Sequence, residues 1–150
     1  MIESVITTPL ALTANNSVVT FPVDDLITKG AQCCGWLQHA QGSPLYKILE
    51  GGIYEIDLSA SLTSATAGIV ALGLYQDGIL IPSTISAETI TAGGLANISF
   101  DKKIRVCCKA DTTLTIASVP SVNAGATGTT PTDTQIPIIT NAIFGISRKA

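Results

Sequence analysis

The stretch Gly51-Gly52-Ile53-Tyr54-Glu55-Ile56-Asp57-Leu58-Ser59-Ala60-Ser61-Leu62 reads in twos. Tyr54, Ile56, Leu58, Ala60 and Leu62 fall on one side, while Ile53, Glu55, Asp57, Ser59 and Ser61 fall on the other. That period belongs to a strand with one face buried. Lys103 to Lys109 repeats the pattern, with Ile104, Val106 and Cys108 opposite Lys103, Arg105 and Cys107. No helical periodicity of any length is visible.

Working outward, the chain reads as strand, turn, strand. Gln32 to Ala40 and Leu45 to Leu49 are joined by Gln41-Gly42-Ser43-Pro44. Ile69 to Gln76 runs into Asp77-Gly78, a dipeptide that supplies positive φ for a tight hairpin turn, and Ile79 to Pro82 returns. Thr84 to Thr91, Leu95 to Phe100, Lys103 to Lys109, Thr112 to Val119 and Ile138 to Lys149 are further strands. Residues 120–137 are rich in Gly, Thr, Ala and Pro, have little to bury, and read as a mobile surface loop. Residues 1–29, interrupted by Thr7-Thr8-Pro9, Asn15-Asn16 and Phe21-Pro22, read as an extended N-terminal arm before a domain at residues 30–150. Short strands at this spacing predict an all-β antiparallel sandwich or barrel.

The 150 residues are enough for one domain that needs no metal or disulfide staple. Charged residues are only 13%, about half the usual share. A surface of hydroxyls and amides repels other copies weakly and suits a protein packed beside itself. The net charge of −3, with no Lys/Arg cluster, argues against nucleic acid, which needs a basic footprint. Residues 65–82 are broken by Gln76 and Asp77, so no membrane span is expected. Glu3 stands where a secretory signal carries positive charge, which predicts synthesis in a cytoplasm. Cys33-Cys34 and Cys107-Cys108 lack zinc-site spacing. Reduced packing thiols are one reading of the two pairs, and a disulfide between them is the other.

Three motifs, taken in order, resemble the tumour necrosis factor and complement globular-head jelly roll. They are Gly52-Ile53-Tyr54, the hairpin Leu72-Gly73-Leu74-Tyr75-Gln76-Asp77-Gly78, and Phe144-Gly145 near the end. A closer likeness is to small proteins of Firmicutes and their phages, through Cys33-Cys34-Gly35-Trp36-Leu37, Gly52 to Glu55, Thr63 to Gly68 and Cys107-Cys108. Members of that group are associated with phage head fibres and capsid decoration.

The resemblance implies a homotrimer. The strand from Gly52 and the strand through Phe144 would lie side by side, with Tyr54, Ile56, Phe144 and Ile146 on the core face. Ile53, Glu55, Asp57, Ile143 and Ser147 would face the threefold axis. Arg105 of one subunit is expected to pair with Glu55 or Asp57 of itself or a neighbour, with Lys103 as a further cation. Simple solvent exposure of the two carboxylates is the other reading.

The resemblance further implies a virion structural protein on the outer capsid surface, with the major capsid protein as partner. Ile2, Val5, Ile6, Leu10 and Leu12 of the arm would dock on the shell. A receptor- or carbohydrate-binding fibre tip, with Trp36 or Tyr75 in a glycan pocket, is the alternative. His39 is the single histidine, and no nucleophile elbow, phosphate loop or metal-ligand helix is present, so no enzymatic activity and no cofactor are expected. Glu55 and Asp57 lie on one strand face, their Cβ atoms about 7 Å apart, a spacing a glycosidase pair could use, but nothing else supports a cleft. Asp24-Asp25 lacks the oxygen-rich loop of a calcium site.

Overall fold

The computed structural model describes residues 1–27, 35–107, 111–122 and 132–149. In chain order the strands are β1 (Ile2–Ile6), β2 (Leu10–Ala11), β3 (Val23–Ile27), β4 (Leu37–His39), β5 (Tyr46–Ile48), β6 (Gly52–Thr63) and β7 (Gly68–Gln76). They continue with β8 (Ile79–Leu80), β9 (Ser86–Ile90), β10 (Ala96–Val106), β11 (Thr112–Ser118), β12 (Ser121–Val122), β13 (Thr132–Asp133) and β14 (Ile138–Arg148). One turn of 3₁₀ helix covers Pro82–Thr84.

Two antiparallel sheets face each other. The first has the order β10-β6-β14-β1-β3, with β2 beside β14. The second has the order β4-β5-β11-β7-β8, with β9 beside β7. The alternation in β6 decides which side is inward: Tyr54, Ile56 and Leu62 are fully buried, and Leu58 and Ala60 nearly so. From β14, Phe144 and Ile146 join them, and from the second sheet Tyr46, Ile48, Leu72, Leu74 and Leu114. Phe21, Tyr46 and Phe144 form the aromatic centre. Phe21 stacks on Phe144 at 5.5 Å, and Tyr46 meets Phe144 edge-on at 4.9 Å. The Asp77-Gly78 turn forms as read, with φ of 52° and 78°, and Asp77 Oδ1 accepts the Thr113 N–H at 2.8 Å.

Three boundaries differ from the sequence reading. The N-terminal segment is not an arm: β1 lies inside the first sheet between β14 and β3, and Ile2, Ile6, Val19 and Phe21 belong to the core. Pairing with β14 supplies the partner that Thr7-Thr8-Pro9 had hidden, since a strand of five residues is stable once both its edges are bonded. Ala96 to Phe100 and Lys103 to Val106 belong to one strand, β10, because β6 is long enough to pair with both without a break; Lys109 lies outside the described residues. Within residues 120–137, Ser121–Val122 pairs with Thr132–Asp133, Thr134 Oγ1 donates to the Val119 carbonyl, and Gln135 N–H donates to Ile69 O at 2.7 Å. Its flanks are therefore bonded. Residues 123–131 lie outside the described residues, as do Gln32, Cys33 and Cys34 of the first expected strand and Cys108.

Candidate functional site

The outward face of the first sheet carries the residues that the alternation singled out. Because β1, β14, β6 and β10 are in register, their outward residues form rows across the sheet. Val5, Ile143, Ser59 and Ser99 make one row; Glu3, Gly145, Asp57 and Asp101 make the next. Ser147, Glu55 and Lys103 follow, and then Ile53 opposite Arg105. Ile53 is 42% exposed and Ile143 46% exposed, and Val5 lies half-buried beside Ile143. Apolar side chains thus bracket a charged middle.

The charge is segregated. Glu55 takes Lys149 Nζ at 2.5 Å and Lys103 Nζ at 3.9 Å. The Lys149 hydrogen bond holds the Glu55 carboxyl below its ordinary range against a smaller opposing effect of burial, and raises Lys149 in turn. Asp57 has no cation within ion-pair distance among the described residues. Its carboxylate lies over Gly145, where an added Cβ would sit 2.6–2.9 Å from the carboxylate atoms. Loss of water on that side raises the Asp57 carboxyl above its ordinary value, and Asp101, Glu3 and Glu55 raise it further. A glycine at position 145 is what lets the carboxylate lie flat on the sheet.

The expected partner of these carboxylates needs correction within one protomer. Arg105 is exposed, sits opposite Ile53, and makes no ion pair among the described residues; Lys103 and Lys149 serve Glu55 instead. Lys149 carries no signal in the sequence, because its place beside Glu55 depends on how β14 registers against β6. Arg105 borders a groove of about 710 Å³ that also takes in Leu49, Ile53, Cys107 and Arg148. Arg148 is already held by Glu50, at 2.5 Å, and by Gly51 O. Cys107 is exposed, as its place opposite Val106 implied, and forms no disulfide among the described residues.

The residues expected to dock on a shell are dispersed. Ile2 and Ile6 are core, Leu10 and Leu12 pack partly buried against that core, and Val5 belongs to the outward face. No common docking surface remains.

Sequence reasoning also missed a polar cluster where the edges of the two sheets meet. His39 Nε2 lies 3.2 Å from Asp24 Oδ1, Ser4 Oγ donates to the same oxygen at 2.5 Å, and His39 Nδ1 is 3.0 Å from Leu45 O. The His39 ring stacks flat on Tyr46 at 3.9 Å. Burial pushes the Tyr46 hydroxyl far above its ordinary range. Asp24 comes from β3 and His39 from β4, so the cluster ties one sheet to the other. Among the described residues no group of three potential ligands is placed to hold a metal, and no helix is long and apolar enough to cross a membrane.

No family model and no curated protein matches the sequence. Solved structures do match the fold. The globular domain of zebrafish complement 1qA superposes with a TM-score of 0.66 at 10% identity, covering 99% of this chain and 96% of that one. Murine APRIL gives 0.60 at 9% identity, with 99% and 98% covered. Rabbit GITRL gives 0.47 at 14% identity over 77% of this chain and 78% of that one. The fold is thus the all-β jelly roll of the tumour necrosis factor and complement globular domains, as the sequence motifs implied.

Proposed function

We propose that this chain is a non-enzymatic structural module that trimerises through the outward face of β10-β6-β14-β1. As a trimer it decorates the outer capsid surface of a phage, bound to the major capsid protein. The observation that carries the assembly reading is the pair Ile53 and Ile143, two large apolar side chains exposed on β6 and β14, strands paired on both sides. Val5, the cross-strand neighbour of Ile143, extends the apolar surface at one end of that face. The jelly-roll fold, with its family tendency to form trimers, supports the same reading.

Around a threefold the contact is head to tail, so different parts of the face meet. The unpaired Arg105 edge of one copy can then cover the Glu3–Asp57–Asp101 row of the next. A pair buried this way costs desolvation and contributes chiefly register. The capsid part of the reading is supported by the cysteine-tryptophan and Gly-Ile-Tyr-Glu motifs and by the sparse surface charge. Contact with the shell is left to loops and edges, since the N-terminal segment is consumed by the core.

Sedimentation equilibrium at micromolar concentration tests assembly: a trimer is expected, and a well-folded lone protomer refutes it. Copy number in purified heads tests the particle. Decoration predicts many copies for each head, while a handful confined to a tail tip refutes decoration.

A further inference from the structure

The face of the sandwich opposite the assembly surface holds a second feature. A depression of about 310 Å³ is lined by Asn16, Val18, Tyr75, Gly78, Thr115 and Ala117. Tyr75 and Thr115 are cross-strand partners on β7 and β11, and both point away from the core that Leu74, Leu114 and Ile116 enter. Ala117 and Gly78 are small, so the hollow opens beside the Tyr75 ring.

The polar groups around it are held in place. Asn16 adopts φ of +65°, a left-handed conformation uncommon for a residue with a side chain. Its turn is tied down by Ser17 N–H to Ala14 O at 3.3 Å, Ala14 N–H to Ser17 Oγ at 3.1 Å, and Ser118 N–H to Ser17 O at 3.1 Å. Thus fixed, Asn16 Oδ1 accepts the Tyr75 hydroxyl at 3.3 Å. That leaves the Asn16 amide N–H groups and the Thr115 hydroxyl without a partner among the described residues. Every lining side chain is uncharged.

We propose that this depression binds a neutral saccharide. One face of a pyranose ring presents aliphatic C–H groups, which suit the electron-rich face of a tyrosine. Its hydroxyls both donate and accept, matching an amide, a hydroxyl and a phenol set around the ring. A charged ligand would find no counter-ion here. Trp36, the other aromatic considered for this role, packs partly buried against Tyr54 at 5.3 Å and lies outside this depression. The site needs only one protomer, so it stands apart from the assembly reading. If that reading holds, three copies point outward from the trimer and weak sites add through valency.

The test is amide and Tyr75-ring NMR titration of the full chain with glucose, galactose, N-acetylglucosamine and rhamnose, and with sialic acid as a charged control. Saturable shifts confined to residues 14–18, 75–78 and 115–117 are expected for at least one neutral sugar. Tyr75→Ala should weaken that binding by roughly tenfold or more, equivalent to about 1.4 kcal/mol. Thr115→Val, which keeps shape and removes one hydroxyl, should weaken it several-fold with the melting temperature retained. The proposal is overturned if no neutral sugar binds, if sialic acid binds better, or if neither substitution weakens binding. A sedimentation run on the same samples reads assembly separately.

Discussion

Replacing Ile6 by Ala separates a core strand from a docking arm. Ile6 is 2% exposed and sits on β1 opposite Ala142 of β14. The substitution removes three carbons, each worth about 0.8 kcal/mol of transfer free energy. The unfilled cavity brings the expected loss to about 3–4 kcal/mol, inside the usual range for Ile→Ala in a packed core. For a chain of this size each kcal/mol lowers the melting temperature by about 2–4 °C, so a fall of roughly 6–16 °C is expected. Thr8→Ala, exposed in the same segment, should stay within about 0.5 kcal/mol of wild type. Urea and thermal unfolding followed by circular dichroism, at one fixed protein concentration, measure both. An Ile6→Ala protein as stable as Thr8→Ala would refute the placement of β1 in the sheet and restore a detached arm.

Other outcomes follow from the same structure. Ile143→Asp places a charge beside Val5 on the outward face, so sedimentation should show protomers while circular dichroism shows an unchanged fold. Asp57 has a raised carboxyl in the folded chain, so the native state holds its proton longer than the unfolded state does. Stability should therefore fall as pH rises from the ordinary carboxylate value through the raised one. Asp57→Asn should flatten that fall in pH-dependent denaturation; an unchanged slope would count against the carboxylate row. Glu55 has the opposite sign: its lowered carboxyl adds stability above the ordinary value that is lost as pH falls through the lowered one. Lys149→Ala should shift its NMR-detected titration upward toward the ordinary range. His39→Ala removes the ring that faces Asp24 and stacks on Tyr46, leaves the buried Asp24 oxygen short of a partner, and should cost about 1–3 kcal/mol in urea unfolding.

The strand period of Ile53 to Leu62 was legible because it is local: alternation of side chains is a property of the backbone and needs no partner. For the same reason the Asp77-Gly78 turn, and the opposite faces of Tyr54 and of Ile53, Glu55 and Asp57, could be read directly, while the faces of Ile143 and Phe144 came from the family resemblance. Ile2 and Ile6 share a face with the polar Ser4 while the apolar Val5 lies on the other, so these five residues look like an arm until β14 is set beside them.

What the chain could not declare by itself is pairing. Register between β14 and β6 puts Lys149 on Glu55, and register between β10 and β6 sets Arg105 opposite Ile53, without an ion pair among the described residues. Register again lines Glu3, Asp57 and Asp101 across three strands separated by many residues, with Gly145 between them. The meeting of two sheet edges brings Asp24 to His39, and the 14–17 turn reaches Tyr75. Side-chain period is set by one strand's geometry, whereas these contacts depend on which strands neighbour which, and only the packed core selects that.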